Sequence, residues 1–258
     1  MHEDISRYGH STNLLGIPTC VLASHWFNVR PLPLHISGTR EAAPGLFDQL
    51  AHQDCAQACG QMFQDYMCVV FGFDTEQRLK EDATGRRRYK SSYLRLIQDW
   101  GIDSNNAQAA VLKGWVESRF GLFPNFHRQR ITSFNSEAWW TYVEDKMNSR
   151  FHNNCIYMQL DLLYEFCQFL IAKFGIPAPH HKTLYRGVNT LDEWLVVSDR
   201  MLAEQHSSEI VDSKIYRFNS IVSFTDNPSI ADEFGRYVLE VEVPMVKLLF
   251  FSDLLPQH

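Results

Sequence analysis

The sequence lacks two features that would place the protein at a membrane or on nucleic acid. No apolar run reaches the roughly 18 residues that a membrane-spanning helix requires, and the N-terminal stretch MHEDISRYGHSTN is polar, unlike a signal peptide. The formal charge of −6 offers no basic footprint for general nucleic-acid binding. We therefore expect a soluble, cytoplasmic protein without a membrane span.

The sequence also lacks cysteine pairs with zinc-site spacing. Several of the six cysteines lie on apolar helical faces, so we expect reduced and mostly buried thiols. His52, Cys55 and Cys59 could share one face of a predicted helix and converge on a metal. We favour small residues packed against a neighbouring helix, because no fourth ligand with zinc-finger spacing follows, and we predict no metal site.

What the sequence contains is a long helical part followed by strand patterns. Apolar spacings of three and four predict helices over residues 41–72, 93–100, 105–120 and 155–174, and another that starts at Ser136. Prolines 177 and 179 mark a boundary. Strand-like patterns then cover the stretch from residue 183 and residues 215–225 and 236–243, with a further predicted helix over residues 191–209. The fold class is therefore α+β, with a mainly helical region at 1–180 and a β core at 181–258.

The β region carries a recurring order of polar residues. In LYRGVN, a short strand ends on Arg186, which can bind a phosphate or carboxylate with two hydrogen bonds. Gly187 would let a ligand approach the backbone. Ser223 and Thr225 are two residues apart on a predicted strand, so they point to one face, and Phe224 points to the core. Taken singly, each of these features is common on protein surfaces.

Taken in order, these features resemble the mono-ADP-ribosyltransferases of the arginine–serine–glutamate class. After Ser223-Phe224-Thr225 comes a helix start with Ala231 and Phe234, and then an apolar strand that ends at Pro244. The N-terminal stretches GHSTNLLGIP and PLHISGTRE, with the chain length, narrow the resemblance to the NAD–dinitrogenase-reductase ADP-ribosyltransferases. This resemblance runs over essentially the whole chain, although the ADP-ribosyltransferase motifs cover about the last 75 residues.

The resemblance implies a fold, a reaction and roles for particular residues. NAD would lie in a cleft of a split two-sheet core, with Arg186 on its phosphates or ribose and the Gly187 backbone on its nicotinamide amide. Ser223 would orient a catalytic glutamate and Thr225 would support the same face. Cleavage of the nicotinamide–ribose bond would pass through an oxocarbenium-like state. The acceptor would be an arginine of dinitrogenase reductase, and its modification would inactivate nitrogenase.

The glutamates depart from the family pattern. The class has a Glu-x-Glu loop after the strand that ends near Pro244, but the 14 residues that follow, up to His258, contain no glutamate. Glu240 and Glu242 have the right spacing but come earlier, inside that strand, so Glu242 is a weak candidate for the catalytic carboxylate. We expect that the given sequence stops short of the catalytic loop. The catalytic glutamate would then lie beyond His258, and the given chain would transfer ADP-ribose poorly.

Two other interpretations stay open at this point. The chain could be a catalytically inactive NAD-binding and partner-binding module with the same core, or a helical structural protein in which Arg186 and Ser223 have no role. The charge run Arg86, Arg87, Arg88 and Lys90 is either a solvated loop or a docking patch for an acidic partner or for the phosphates of a nucleotide. By the resemblance, a PII-type signalling protein would regulate the enzyme and could bind the helical part.

Overall fold

The computed structural model describes residues 9–72, 92–147, 152, 154–175, 180–189, 195–198 and 215–252. Its helices are α1 (Thr19–Leu22), α2 (His25–Val29), α3 (Thr39–Ala42), α4 (Pro44–Ala51), α5 (Ala56–Phe71), α6 (Tyr93–Ile102), α7 (Ala107–Phe120), α8 (Glu137–Lys146), α9 (Asn154–Phe174) and α10 (Pro228–Asp232). Its strands are β1 (Phe126–His127), β2 (Gln129–Arg130), β3 (His181–Val188), β4 (Leu195–Ser198), β5 (Ile215–Arg217) and β6 (Tyr237–Pro244), and a 3₁₀ turn, η1 (Met245–Lys247), follows β6.

Helix α9 lies at the centre of the helical part. It packs against α3, α5 and α6, while α7 packs against α6 and α8. Phe166 of α9 stacks on Phe63 of α5 with ring centroids 4.2 Å apart. Helix α7 is buried on almost every side, including Lys113 and Glu117. A helix that is buried all round is a core helix, and the helical part therefore owes its stability to packing between helices.

Charged groups inside this core are paired with donors. Asp161 of α9 accepts a hydrogen bond from the Trp115 indole at 2.7 Å and two from the Arg119 guanidinium, each at 2.8 Å. Glu165, one turn later, accepts from the backbone N–H of Ile36 at 2.6 Å and from Arg40 Nε at 2.5 Å. Burying a carboxylate is costly unless donors replace its water. The Asp161 contacts therefore fix α7 onto α9, and the Glu165 contacts fix the N-terminal arm, residues 9–40, onto the same helix.

The arm packs along the helical body, as its apolar residues predict. Leu15, Leu22 and Phe27 are buried, whereas Trp26 is about half exposed. The arm also reaches the β region, because the Asn28 side chain accepts from Lys247 Nζ at 2.6 Å and its carbonyl contacts the His181 ring. The arm thus contacts both parts of the molecule.

The described strands pair as antiparallel ladders. Strand β3 pairs with β6 over eight residues, with Arg186 opposite Leu239 and Thr183 opposite Glu242. Strands β4 and β5 pair with each other, as do β1 and β2. The mixed α+β composition predicted from the sequence is confirmed. The split two-sheet core stays a prediction, as does the division into residues 1–180 and 181–258.

Three local expectations were wrong. Residues 41–72 do not form one helix, because the chain breaks between α4 and α5 at residues 52–55 and Cys55 caps α5. His52 and Cys55 therefore do not share a helical face with Cys59, and the described residues hold no cluster of metal-ligating side chains. Most cysteines are exposed rather than buried: only Cys59 and Cys167 are buried, and all six are free.

The β region also differs from its predicted boundaries. The first strand does not end at Arg186 but continues through Gly187 to Val188. Within the predicted helix 191–209, residues 195–198 form strand β4 because they pair with β5, and the remainder lies outside the described residues. The strand expected over residues 215–225 covers 215–217, with a single bridge at Thr225.

Helix α9 has the length and composition of a membrane-spanning helix but lies in the core. Residues 155–174 are long and apolar enough, by length and composition, to cross a bilayer, although 72% of that stretch is buried inside the protein. Such burial is typical of the central helix of a packed core. The stretch also contains Asp161, Glu165 and Lys173, so the sequence has no uninterrupted apolar run there.

Candidate active site

Strand β3 brings the predicted site residues together. On one side it pairs with β6, and on the other Tyr185 exchanges two backbone hydrogen bonds with Thr225, at 2.7 and 2.9 Å. The Ser223–Thr225 segment therefore lies beside β3 at the level of Arg186. Arg186, Gly187, Ser223 and Thr225, which are up to 39 positions apart in sequence, form one cluster.

Ser223 is held by two side chains from different parts of the chain. The guanidinium of Arg186 donates from Nη1 to the Ser223 carbonyl at 2.7 Å. The indole of Trp100, from α6, donates from Nε1 to the Ser223 hydroxyl at 2.8 Å. Ser223 itself is exposed, while Trp100 is buried. The helical part thus holds the hydroxyl of an exposed serine through one hydrogen bond from a buried indole.

The chain before Ser223 is fixed by side-chain amides. Asn219 accepts from the backbone N–H of Asn125 at 3.1 Å and donates to the Phe126 carbonyl at 2.9 Å. Asn125 in turn donates to the carbonyls of Arg217 and Phe218. Ile221 is buried in the hydrophobic core. The start of the loop that carries Ser223, residues 217–219, is therefore attached to the β1–β2 hairpin and the residue before it.

Thr225 and Phe224 complete this loop. The Thr225 hydroxyl accepts from the backbone N–H of Asn227 at 3.1 Å, just before α10. Phe224 was expected to point into the core, but it is only half-buried, with its ring edge-on to Phe218 at 6.0 Å. Residues 218–225 form no regular strand: the chain bends at residues 220 and 221 and makes a single bridge, at Thr225.

Gly187 is needed for close packing of the backbone. A Cβ at this position would lie 2.0 Å from the Ala231 carbonyl oxygen of α10 and 3.0 Å from the Gly235 nitrogen. Glycine therefore allows β3 and α10 to approach each other directly beneath the cluster. A contact between the Gly187 backbone and nicotinamide stays a prediction.

Glu242 lies away from this cluster. It is directly opposite Thr183 on the neighbouring strand, and the Thr183 hydroxyl bonds to its carboxylate. Opposite residues of an antiparallel pair point to the same face, and successive residues alternate. Glu242 and Glu240 therefore lie on the face opposite that of Arg186. The structure brings Arg186, Gly187, Ser223 and Thr225 together without Glu242, whose catalytic role stays a prediction.

The favoured position for the catalytic glutamate, beyond His258, also stays a prediction. The structure describes the end of the chain through Ser252, so His258 lies outside the described residues. The described segment after Pro244 begins with the turn η1, and residues 245–252 include no glutamate. The prediction of the catalytic carboxylate therefore rests on the sequence pattern alone. The proximity of Arg186 and Ser223 is also observed in the structure.

A buried lysine lies behind the cluster. Lys113 Nζ is 5.8 Å from the centroid of the Trp100 ring and donates to the carbonyls of Ser104 and Phe126, at 2.8 and 3.0 Å. Burial lowers the pKa of Lys113 to about 7, and nearby Asp103 partly opposes this shift. The next residue in this network is His127, whose pKa is also lowered by burial, while its bond to Asp145 opposes the shift.

Sequence reasoning missed Trp100 as a site residue. It lies at the end of the helix predicted over residues 93–100, and its ring belongs to the hydrophobic core. Its N–H is the part that reaches Ser223, 123 positions later. The one available signal was general: a buried tryptophan N–H needs an acceptor.

The comparisons with known proteins identify the family of the chain. A family model described as dinitrogenase reductase ADP-ribosyltransferase (DRAT) matches residues 12–258. The chain belongs to this family. It is similar to the NAD(+)–dinitrogen-reductase ADP-D-ribosyltransferase of Rhodospirillum rubrum, with 48% identity over 262 residues that cover all of this chain and 91% of the relative. No solved structure matches the chain.

Membership of the family confirms the resemblance found in the sequence. The family match covers α1 to η1, so it includes the helical part as well as the strands. The helices around α9 therefore lie within the part of the chain that matches the family. The charge run at residues 86–90 lies outside the described residues.

Proposed function

We propose that this chain is a mono-ADP-ribosyltransferase that uses NAD to modify an arginine of dinitrogenase reductase and so inactivates nitrogenase. The relative's name supports the donor and the protein acceptor. The observation that carries the proposal is the joining of Arg186 to Ser223 at 2.7 Å beside β3. A guanidinium next to a solvent-facing hydroxyl supplies the donors that a nucleotide with phosphates and ribose hydroxyls requires.

The residues of the cluster have roles that follow from this donor set. Arg186 would bind a phosphate or ribose oxygen through a charge-assisted hydrogen bond. The Ser223 hydroxyl orients the reacting groups, Thr225 keeps that loop in register with β3, and the Gly187 backbone contacts the nicotinamide amide.

The reaction also needs a carboxylate near the acceptor. A free guanidinium is protonated and must lose a proton to attack, so a carboxylate has to position it and accept that proton. Glu242 is the candidate within the given sequence.

The proposal extends to the architecture and its partners. Residues 181–258 would form the NAD-binding, split two-sheet core, and residues 1–180 a helical region for docking of partners. A PII-type signalling protein would control the enzyme in the cytoplasm. The charge run at residues 86–90 motivates its docking there, since four cations suit an acidic surface.

The first experiment measures NAD binding by calorimetry. Loss of one charge-assisted hydrogen bond costs roughly 1.5–3 kcal/mol, so Arg186→Ala should weaken NAD binding by about 10- to 150-fold. The matched control is Arg130→Ala, on the exposed strand β2, which should bind NAD as the unchanged chain does. Equal affinities in both variants would overturn the assignment of the site.

The second experiment measures transfer. Labelled NAD is incubated with the chain and dinitrogenase reductase, and mass spectrometry locates the added ADP-ribose. Modification of an arginine supports the proposal. Binding of NAD with no transfer, including after extension of the chain past His258 by a Glu-x-Glu loop, would favour the non-catalytic module.

The regulator is tested by co-purification with a PII protein, and unchanged binding after alanine replacement of Arg86, Arg87 and Arg88 would exclude that patch.

A further inference from the structure

The Ser223 hydroxyl has a fixed role in its hydrogen bond with Trp100. An indole N–H can only donate, so at 2.8 Å the Ser223 oxygen must accept. A serine hydroxyl has two lone pairs and one proton. With one lone pair occupied by Trp100, the proton is directed elsewhere, and the exposure of Ser223 leaves the solvent side as the open direction.

Trp100 is itself held in place by the helical part. Its ring is buried in the hydrophobic core, and both ends of α6 are tied to other helices. At the start, the Tyr93 N–H donates to Gln159 of α9 at 3.0 Å, and near the end Asn106, the N-cap of α7, donates to the Asp99 carbonyl at 3.3 Å. The indole is therefore a rigid donor, whereas Ser223 lies on a loop.

We propose that Trp100 is a positioning residue for the transferase reaction: its indole N–H fixes the Ser223 hydroxyl as a donor toward bound NAD. This inference rests on the proposed function, because it requires NAD at Arg186 and Ser223. Trp100 acts through Ser223 and does not touch the reacting atoms. Rigid elements hold functional groups more accurately than loops do, so the loop hydroxyl gains its orientation from α6.

The test is a double-mutant cycle read by the NAD dissociation constant. Trp100→Phe keeps an aromatic ring and removes the N–H. It should weaken NAD binding by about 2- to 10-fold, which is the range of one neutral hydrogen bond. Combined with Ser223→Ala, it should cause no further loss, because the hydroxyl that it orients is gone.

The matched control is Trp115→Phe. Trp115 is also buried, and its N–H also donates to a side chain, Asp161, at 2.7 Å. That variant loses an equivalent hydrogen bond away from Ser223 and should keep the NAD affinity of the unchanged chain. A Trp100→Phe effect of equal size with and without Ser223→Ala would show a merely structural role and overturn the inference, as would the absence of any effect.

These results separate the two proposals. If Arg186→Ala and Ser223→Ala both leave NAD binding unchanged, the proposed function fails at this site and the inference fails with it. If both weaken binding while Trp100→Phe does not, the inference alone is overturned.

A second measurement avoids reliance on the folding of Trp100→Phe. In a ¹⁵N-labelled chain, Ser223→Ala should move one of the indole N–H signals from the six tryptophans upfield and leave the Trp115 signal in place. NAD should shift the same signal in the unchanged chain. An indole spectrum that Ser223→Ala leaves unaltered would overturn the contact.

Discussion

The helical part and the β3–β6 ladder differ in how they hold polar groups. In the helical part, carboxylates such as Glu165 and Asp161 are buried and each is surrounded by donors. In the ladder, Glu240 and Glu242 are exposed on a strand that pairs only with β3 in the described part of the chain. The buried groups secure the fold, and the exposed ladder leaves its side chains accessible to ligands.

This difference explains how the candidate site is ordered. Of β3, only Leu184 and Val188 are buried, so the ladder has little core of its own. Contacts with the helical part replace that core. Tyr164 donates to the Val246 carbonyl at 2.9 Å, and Gln168 donates to the Met245 and Leu248 carbonyls at 3.2 and 2.9 Å. The helical part is therefore the support on which the site residues are arranged.

The largest loss of stability is expected from removing the buried carboxylate of Glu165 in the helical part. Glu165→Ala leaves the Ile36 N–H and the Arg40 guanidinium without their acceptor. Loss of one partner of a buried ion pair costs about 3–5 kcal/mol, measured as the free energy of unfolding in urea. Exposed Glu144→Ala is the control and should change stability by less than about 0.5 kcal/mol. A similar small change in both variants would contradict this interpretation of Glu165.

The buried Lys113 of the helical part should make the free energy of unfolding depend on pH. Folding lowers the pKa of Lys113 from 10.5 to about 7, so the unfolded chain holds a proton there that the folded chain lacks. Stability therefore rises with pH between these values, by about 1.4 kcal/mol per pH unit. Lys113→Met should remove this rise, which thermal unfolding across the range would measure.

Lys247 provides the matched comparison near the ladder. Burial lowers its pKa to about 8, so Lys247→Met should flatten the stability profile only between about 8 and 10.5. Its ammonium donates to the Leu22 carbonyl at 3.0 Å. Identical profiles for the two variants would show that the two lysines do not differ in this way.

A smaller effect is expected from crowding the ladder at Gly187. Gly187→Ala places a methyl group 2.0 Å from the Ala231 oxygen, so β3 and α10 must separate. Overpacking of this kind costs about 1–3 kcal/mol, and NAD affinity should fall with it. Gly60→Ala in α5 is the control: a Cβ there meets nothing within 4 Å, and the helix should gain about 0.5–1 kcal/mol. Destabilisation by Gly60→Ala alone would reverse the expected contrast.

The smallest effect on stability is expected at Glu242. Its pair with Thr183 is exposed, so Glu242→Gln should change the free energy of unfolding by less than about 0.5 kcal/mol. Because the fold is unaffected, any loss of ADP-ribose transfer in this variant reports chemistry. A large loss of stability would show that the pair supports the ladder.

The sequence was sufficient where local signals and tertiary structure agree. The end of α9 before Gly175 and the end of β6 at Pro244 were predicted and are confirmed. The prediction that Arg186 and Ser223 belong to one site rested on the family resemblance. Strand β4 was missed because pairing with β5 overrides helical spacing. The contact between Trp100 and Ser223 could not be foreseen, since it depends on how α6 and the loop pack in three dimensions.

The contacts of Asn28 have a consequence for folding. This residue bonds to His181 and Lys247, which follow it by 153 and 219 positions. During synthesis the arm emerges first, yet these partners emerge only near the end of the chain. Contacts of such sequence separation form slowly. We expect the α2 region to remain accessible to proteases and chaperones on the ribosome until β6 and η1 have emerged.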